Sequence, residues 1–360
     1  MNIVFFVTGL DSGGLENYLL RFLRYRSKSF DNITVFCKGG KTGQLEEQFL
    51  SIPNLSIHSK KISFYNPKDY KYLYDFFKKN HTNSVCDFTG NFAGLVLLSA
   101  KWAKIPKRVS FYRGSSNHFK ETKFRLFYNK FVQKLTYKYA TDILSNSIAA
   151  FDYFYPNQWK TDSRFAVIYN GIDSRPFIEE DKTLREELNI PSSAFVIGHT
   201  GRFNEAKNHH TIIEVATLIC KKYDDIYFLL CGNDVKDNLE AQVISKQLHD
   251  KVILLNYRSD IPRVLNTMDA YFFPSLTEGQ PNALIEAMIV GLPFVTSDIP
   301  SIKETIEDHV EVYHPLDVNR FVTAIEKLYL NRVKRNLNLK GKTIQRFDYK
   351  NRFDEFYFKL

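Results

Sequence analysis

Short apolar runs separated by stretches of helical periodicity recur along this chain, and that alternation restricts its fold more than any other feature. In the first half the runs are 3–7, 33–37, 84–88, 108–112, 142–145 and 165–168; in the second they are 195–199, 227–231, 252–254, 270–273 and 294–296. Strands that alternate with helices form parallel sheets covered on both faces, so the reading is α/β. A chain of 360 residues is long for one domain and comfortable for two, each able to bury a core. Between the two sets of strands, Tyr169 to Glu180 carries Gly171 and Pro176 and reads as a hinge. The expected division is 1–173, 174–340 and an aromatic, basic tail at 341–360.

The run Thr277-Glu278-Gly279-Gln280-Pro281-Asn282-Ala283-Leu284-Ile285-Glu286-Ala287-Met288 joins a strand end to a helix start, with a carboxylate on each side. Pro274 ends the strand Ala270 to Phe273, and Pro281 stands where a first helical turn tolerates proline. The amides of Ala283, Leu284 and Ile285 are then expected as free donors at the positive end of a helix, a ready phosphate site. Carboxylates suit the hydroxyls of a sugar and the helix end suits a phosphate, so the pair describes a nucleotide sugar. By itself the spacing also fits a solvated loop acid and a structural partner for a neighbouring helix.

A second constellation narrows the choice. Val196-Ile197-Gly198-His199-Thr200-Gly201-Arg202-Phe203 is a strand running into a glycine turn, and Lys207-Asn208 follows. Strand, turn and two cations before a helix is how a doubly wound sheet meets an anion at the carboxyl ends of its strands. The first loop, Gly9 to Glu16, holds Gly13-Gly14, which either serve a tight turn or let a ligand approach the backbone. It lacks the G-x-G-x-x-G spacing of a nicotinamide-binding turn.

Taken together, Gly13-Gly14, Tyr169-Asn170-Gly171-Ile172-Asp173, Gly201-Arg202 with Lys207-Asn208, the span Glu278 to Glu286, and Ser297-Asp298-Ile299-Pro300 resemble the retaining glycosyltransferases of family 4, of the bacterial cell-surface polysaccharide type. The resemblance is dense in the second half and thin in the first. It implies the GT-B fold: two Rossmann-like doubly wound domains facing each other across a cleft, the first for the acceptor and the second for the donor, with a terminal helix crossing back to the first. It implies a UDP- or GDP-sugar donor, no cofactor, and a saccharide or lipid-linked saccharide acceptor of capsule, O-antigen or related synthesis. Arg202 and Lys207 take the donor diphosphate, Glu278 faces the donor sugar and Glu286 the ribose. Gly13, Gly14, Gly201, Arg258, Asn282 and the amides of Ala283 to Ile285 complete the donor side. Relatives often carry His or Asp after the fourth strand; here the segment reads Phe111 to His118, and Arg113 or His118 takes that place on the acceptor side. Front-face attack with retention is also implied, the donor phosphate accepting the acceptor proton. No acidic metal cluster is visible, and the fixed cations replace a divalent ion. Fold does not fix reaction, so an epimerase or phosphorylase of the same architecture stays open.

Charge is divided unevenly. Residues 1–175 hold 26 Lys and Arg against 13 Asp and Glu, a net +13, whereas the remainder holds 23 against 27, a net −4. A basic first domain attracts polyanions, which keeps a noncatalytic nucleic-acid- or membrane-binding protein among the alternatives, although no nucleic-acid motif is present. The segment 119–140 repeats Phe124, Phe127, Tyr128, Phe131, Val132, Leu135 and Tyr139 at helical spacing, flanked by Lys120, Lys123, Lys130, Lys134 and Lys138. Such a stripe either packs on its own sheet with lysine stems lying along it or rests in a membrane interface. No run approaches the ~20 apolar residues of a membrane span. Cys37, Cys86, Cys220 and Cys231 have no paired spacing and read as reduced core thiols. A cytoplasmic protein, at the inner face of the membrane where its acceptor is lipid-linked, is the expected setting.

Overall fold

The computed structural model describes residues 1–115, 122–179, 181, 183–307 and 311–360. It divides into one unit of Met1–Gly171 with Tyr349–Leu360 and a second of Ile172–Asp348. In the first unit, β1 (Asn2–Val7), β2 (Asn32–Cys37), β3 (Leu55–Ser59), β4 (Ser84–Asp87), β5 (Lys107–Tyr112), β6 (Asp142–Ser145) and β7 (Phe165–Val167) form one sheet in the order β3-β2-β1-β4-β5-β6-β7. All pairs are parallel, with Ile3 opposite Ile33 and Val4 opposite Val85. The pleat sends alternate residues to opposite faces. Ile3, Phe5 and Val7 therefore enter a core with Tyr18, Phe22, Phe353 and Phe356, while Val4 and Phe6 enter another with Leu73, Phe77 and Val96.

The second unit holds β8 (Phe195–Thr200), β9 (Ile226–Cys231), β10 (Val252–Leu255), β11 (Ala270–Phe273), β12 (Phe294–Ser297) and β13 (Val312–Tyr313), in the order β10-β9-β8-β11-β12-β13. It too is parallel throughout. Its core includes Phe195, Ile197, Ile213, Phe228, Leu230 and Phe272. Gly198 is required in β8, because a Cβ there would lie 1.9 Å from Met268 Sδ.

Three expectations change. β3 and β13 were not anticipated: both are sheet edges, β3 shows half-exposed residues, and β13 has two residues, so neither presents a buried apolar run. The tail does not leave its domain at residue 341. The helix Leu337–Arg346 belongs to the second unit, and only Tyr349–Tyr357 joins the first, at the passage where a Cβ on Gly171 would stand 2.6 Å from Tyr349 Cα. Of the described residues of the stripe in the helix Lys123–Tyr139, only Val132 is fully buried. Asn129, Val132 and Thr136 face inward, and Gly94 admits the close approach, since a Cβ there would be 2.2 Å from Val132 O. The inward contact is partly polar, Asn91 Nδ2 donating to Asn129 Oδ1 at 3.1 Å and Thr136 Oγ1 to Asn91 O at 3.0 Å. Phe127 and Phe131 are left outside.

Candidate active site

In the second sheet the strand order turns around between β8 and β11, and ligands of open α/β sheets bind where the order reverses, beyond the carboxyl ends. The loops after these two strands carry most of the residues singled out from the sequence, and hydrogen bonds join them. Leu276 N donates to Ala206 O at 2.8 Å, and Asn208 Nδ2 donates to Pro274 O at 3.0 Å and Pro315 O at 2.8 Å. Asn208 adopts left-handed backbone (φ 55°), a conformation asparagine tolerates, which turns the chain into the helix His209–Lys222. Asn204 Oδ1 accepts from Lys207 N at 3.0 Å and shapes the turn before it.

This frame brings Lys207 and Glu278 together, Nζ donating to Oε1 at 2.6 Å, with both side chains mostly buried. The Lys207 ammonium also lies 4.8 Å from the centre of the Phe273 ring. Arg202, directly after the glycine turn, is exposed. Gly201 and Gly232 permit two loops to touch: a Cβ on Gly232 would come within 2.0 Å of Gly201 O. Arg258 sits beyond the edge strand β10, where Asp260 grips it through Nε at 2.7 Å and Nη2 at 2.5 Å. That bidentate bond raises the guanidinium and lowers the carboxyl from their usual values.

The helix Asn282–Val290 begins directly after Pro281 without a side-chain cap. The first-turn amides of Ala283 and Leu284 have no helical carbonyl within reach and point out of its positive end. Ile285 differs from expectation, for its amide donates to Pro281 O at 3.1 Å and is spent in the helix itself. Pro281 stands at the cap and not in the first turn, and its carbonyl accepts the first helical bond.

Two further groups were not assigned from sequence. His199, at the end of β8, accepts a place under the glycine turn: its Nδ1 donates to Phe272 O at 3.0 Å, and its Nε2 stands 3.0 Å from where a Cβ on Gly201 would be. His209 crosses it edge-on at 5.1 Å between ring centres. Burial pushes His199 well below the usual imidazole range, His209 and Lys207 adding to the effect. Burial and Lys207 push His209 down to about 4. Both imidazoles are therefore neutral next to the ammonium. In the first unit, Lys38 Nζ reaches Asp87 Oδ2 at 2.8 Å and Thr89 Oγ1 at 2.6 Å beyond the ends of β2 and β4, beside that sheet's own order reversal between β1 and β4. The available signal in both cases was a polar residue closing an otherwise apolar strand.

On the first unit, Gly13 precedes the helix Gly14–Arg26 in extended backbone, and neither glycine has positive φ. A Cβ on Gly14 would meet nothing within 4 Å, so the turn itself does not demand glycine there. Arg113 follows β5 and lies 3.9 Å over the Tyr18 ring, its Nε and Nη1 buried without hydrogen-bond partners among the described residues. Burial lowers this guanidinium to about 10. His118 lies outside the described residues. Among the described residues no group of His, Cys, Asp and Glu is arranged to hold a metal ion.

The family described as "Glycosyl transferases group 1" matches residues 180–346, almost the whole second unit. The O-antigen biosynthesis glycosyltransferase WclY of Escherichia coli is 28% identical over 46% of this chain, a stretch spanning 45% of that relative. The putative glycosyltransferase EpsF of Bacillus subtilis (strain 168) is 24% identical over 84% of this chain and 79% of its own length. The crystal structure of Anabaena HepE in complex with UDP and glucose aligns at 20% identity with a TM-score of 0.79, over 99% of this chain and 98% of that one, which shows the fold. The second unit thus matches the group 1 glycosyl transferases, and the chain as a whole has the fold of the HepE structure.

Proposed function

We propose that the protein transfers a sugar from a UDP- or GDP-sugar to a hydroxyl of a saccharide or lipid-linked saccharide, with retention at the anomeric carbon and without a metal ion. The reading rests on one observation: Lys207 and Glu278 meet at 2.6 Å at the order reversal of the second sheet. When the glycosidic bond to phosphate breaks, its electron pair goes to the diphosphate, and negative charge grows there. Cations and amides already fixed at that point favour the transition state over the ground state. Lys207, Arg202 and the amides of Ala283 and Leu284 fill that role, Glu278 meets the donor sugar and Glu286 the ribose. The acceptor oxygen bonds to the anomeric carbon, and its proton passes to an oxygen of the departing phosphate. Arg113 serves the acceptor on the first unit.

The family match of the second unit and the O-antigen role of the Escherichia coli relative support this assignment over an epimerase or phosphorylase. A lipid-linked acceptor would set the work at the cytoplasmic face of a membrane. Thermal shift against a panel of nucleotide sugars selects the donor, since a ligand that binds only the folded state stabilises it. Release of nucleotide diphosphate in the presence of acceptor then measures transfer, and the anomeric configuration of the product tests retention. Free sugar phosphate as the product would instead identify a phosphorylase.

A further inference from the structure

A cavity of about 450 Å³ opens in the second unit, at the end of its sheet away from the candidate active site. Its wall includes Phe195, the first residue of β8, and Asp269, just before β11, whereas Arg202 and Glu278 follow the other ends of those strands. The six residues of β8 put about 20 Å between the two places. Arg185 is spent on the wall itself: Nε donates to Thr267 O at 2.9 Å, Nη1 to Ala194 O at 3.2 Å and Nη2 to Asp269 Oδ2 at 2.7 Å. Asp269 Oδ2 also accepts from Val196 N at 2.8 Å, and Asp269 is the one acid among the described residues of the wall. The other cations, Arg332, Lys334 and Arg335, come from the segment between the helices Val318–Leu330 and Leu337–Arg346. Arg332 lies 4.8 Å over the Tyr329 ring and reaches Asp225 at 3.3 Å, and Arg335 Nη2 donates to Asn266 O at 3.4 Å. Lys334 has no hydrogen bond or ion pair among the described residues. Val333 N donates to Leu328 O at 3.1 Å and Asn336 N to Gly291 O at 2.8 Å, which holds the segment in place. In the same wall, the turn closed by Ala194 N donating to Pro191 O at 3.0 Å leaves the amides of Ser192 and Ser193 without a partner among the described residues. These three cations gather in a half of the chain whose net charge is −4, and a hollow lined by one sign of charge concentrates counter-ions. Guanidinium and ammonium groups with turn amides suit a phosphate. The space exceeds what a phosphate ion fills, and Phe195 and Val333 offer apolar surface to an organic remainder.

We infer that this hollow is a second anion site, separate from the donor site, which takes the phosphate group of a small phosphorylated molecule such as a sugar phosphate. Arg332, Lys334 and the amides of Ser192 and Ser193 meet the phosphate. The inference stands apart from the transfer reaction, and its test uses no activity. The full chain is titrated by calorimetry with glucose 6-phosphate, inorganic phosphate and glucose. Both phosphates should bind, the ester more tightly than the ion, and glucose should not. Arg332→Gln with Lys334→Gln should weaken glucose 6-phosphate about a hundredfold, about tenfold per cation, and Lys334→Arg should keep most of the affinity. These variants should melt close to wild type, because Lys334 is exposed and the exposed pair of Arg332 with Asp225 contributes little. Arg202→Ala, which alters the donor loops, should leave the affinity for glucose 6-phosphate unchanged. Affinity lost in Arg202→Ala but retained in the Arg332, Lys334 variant puts the phosphate in the donor site and overturns the inference. It is overturned equally if neither phosphate binds, if glucose binds as well as its phosphate, or if the ester binds no more tightly than the ion.

Discussion

At the scale of single residues, the proposed donor site is a small set of charges held by short loops, and each makes a separable demand. Arg202 is exposed and makes little contribution to folding, so Arg202→Ala should leave the melting temperature unchanged and lower turnover on the order of a hundredfold. Lys207→Ala should lower turnover at least as much, but it also removes a mostly buried ion pair with Glu278, so a lower melting temperature accompanies it. Near wild-type turnover in either variant would remove that cation from the reaction. The two glutamates divide differently: Glu278→Gln should chiefly reduce turnover, and Glu286→Gln should chiefly weaken binding of free UDP or GDP. Calorimetry that found equal losses of nucleotide affinity would mean the roles are misassigned. His209 gives the site a pH dependence of stability. Unfolded, it binds a proton below about 6.5; folded, only below about 4. Stability is therefore complete above the unfolded value and falls as pH drops from there toward 4, by about 2 kcal/mol between pH 6.5 and 5 for this one group. His209→Gln should flatten that part of the urea-midpoint profile, and an unchanged slope would place the proton uptake elsewhere.

At the scale of elements, steric fit decides more than propensity. Gly94 opens the helix Gly94–Trp102, and alanine there would gain up to about 1 kcal/mol in an isolated helix. The added carbon would lie 2.2 Å from the backbone oxygen of Val132, and backbone cannot step aside as a side chain can. Gly94→Ala should therefore destabilise by about 1–3 kcal/mol, read from the urea midpoint; a stabilised variant would show that the two helices have room to part. Legibility from sequence follows the same division. Buried strands such as Phe195 to Thr200 announce themselves, since apolar residues on both faces leave a continuous run. The edge strand Leu55–Ser59 does not, since one side of it meets water. The stripe of the helix Lys123–Tyr139 was visible as a period but not in phase, because its buried face uses Asn129 and Thr136, whose partners are distant in sequence. The order of glycine, cation and carboxylate pointed to the two loops that the structure brings together. The contact of Lys207 with Glu278, and the imidazoles below it, required the parallel pairing of β8 with β11.

At the scale of the whole chain, the sequence crosses between units twice, at Gly171 and again at Tyr349, so the first unit is finished only when the last residues arrive. Those residues are internal to it. Phe353 and Phe356 are fully buried, with Phe356 4.7 Å from Phe22 and 5.1 Å from Phe111 between ring centres. Arg26 grips Asp354 at 2.5 Å, and Ser84 Oγ donates to the backbone oxygen of Leu360 at 2.9 Å. The second unit has its own core, which shares none of these side chains. Removing a ring from a packed aromatic cluster costs about 3–5 kcal/mol, a large share of the stability of one domain. Phe356→Ala should therefore lower protection from hydrogen exchange throughout β1, β4 and β5 while leaving amides of β8 and β11 protected as before. Loss spread evenly over both sheets would mean that the units unfold as one, and loss confined to Tyr349–Leu360 would mean that the terminal helix only rests on a core complete without it.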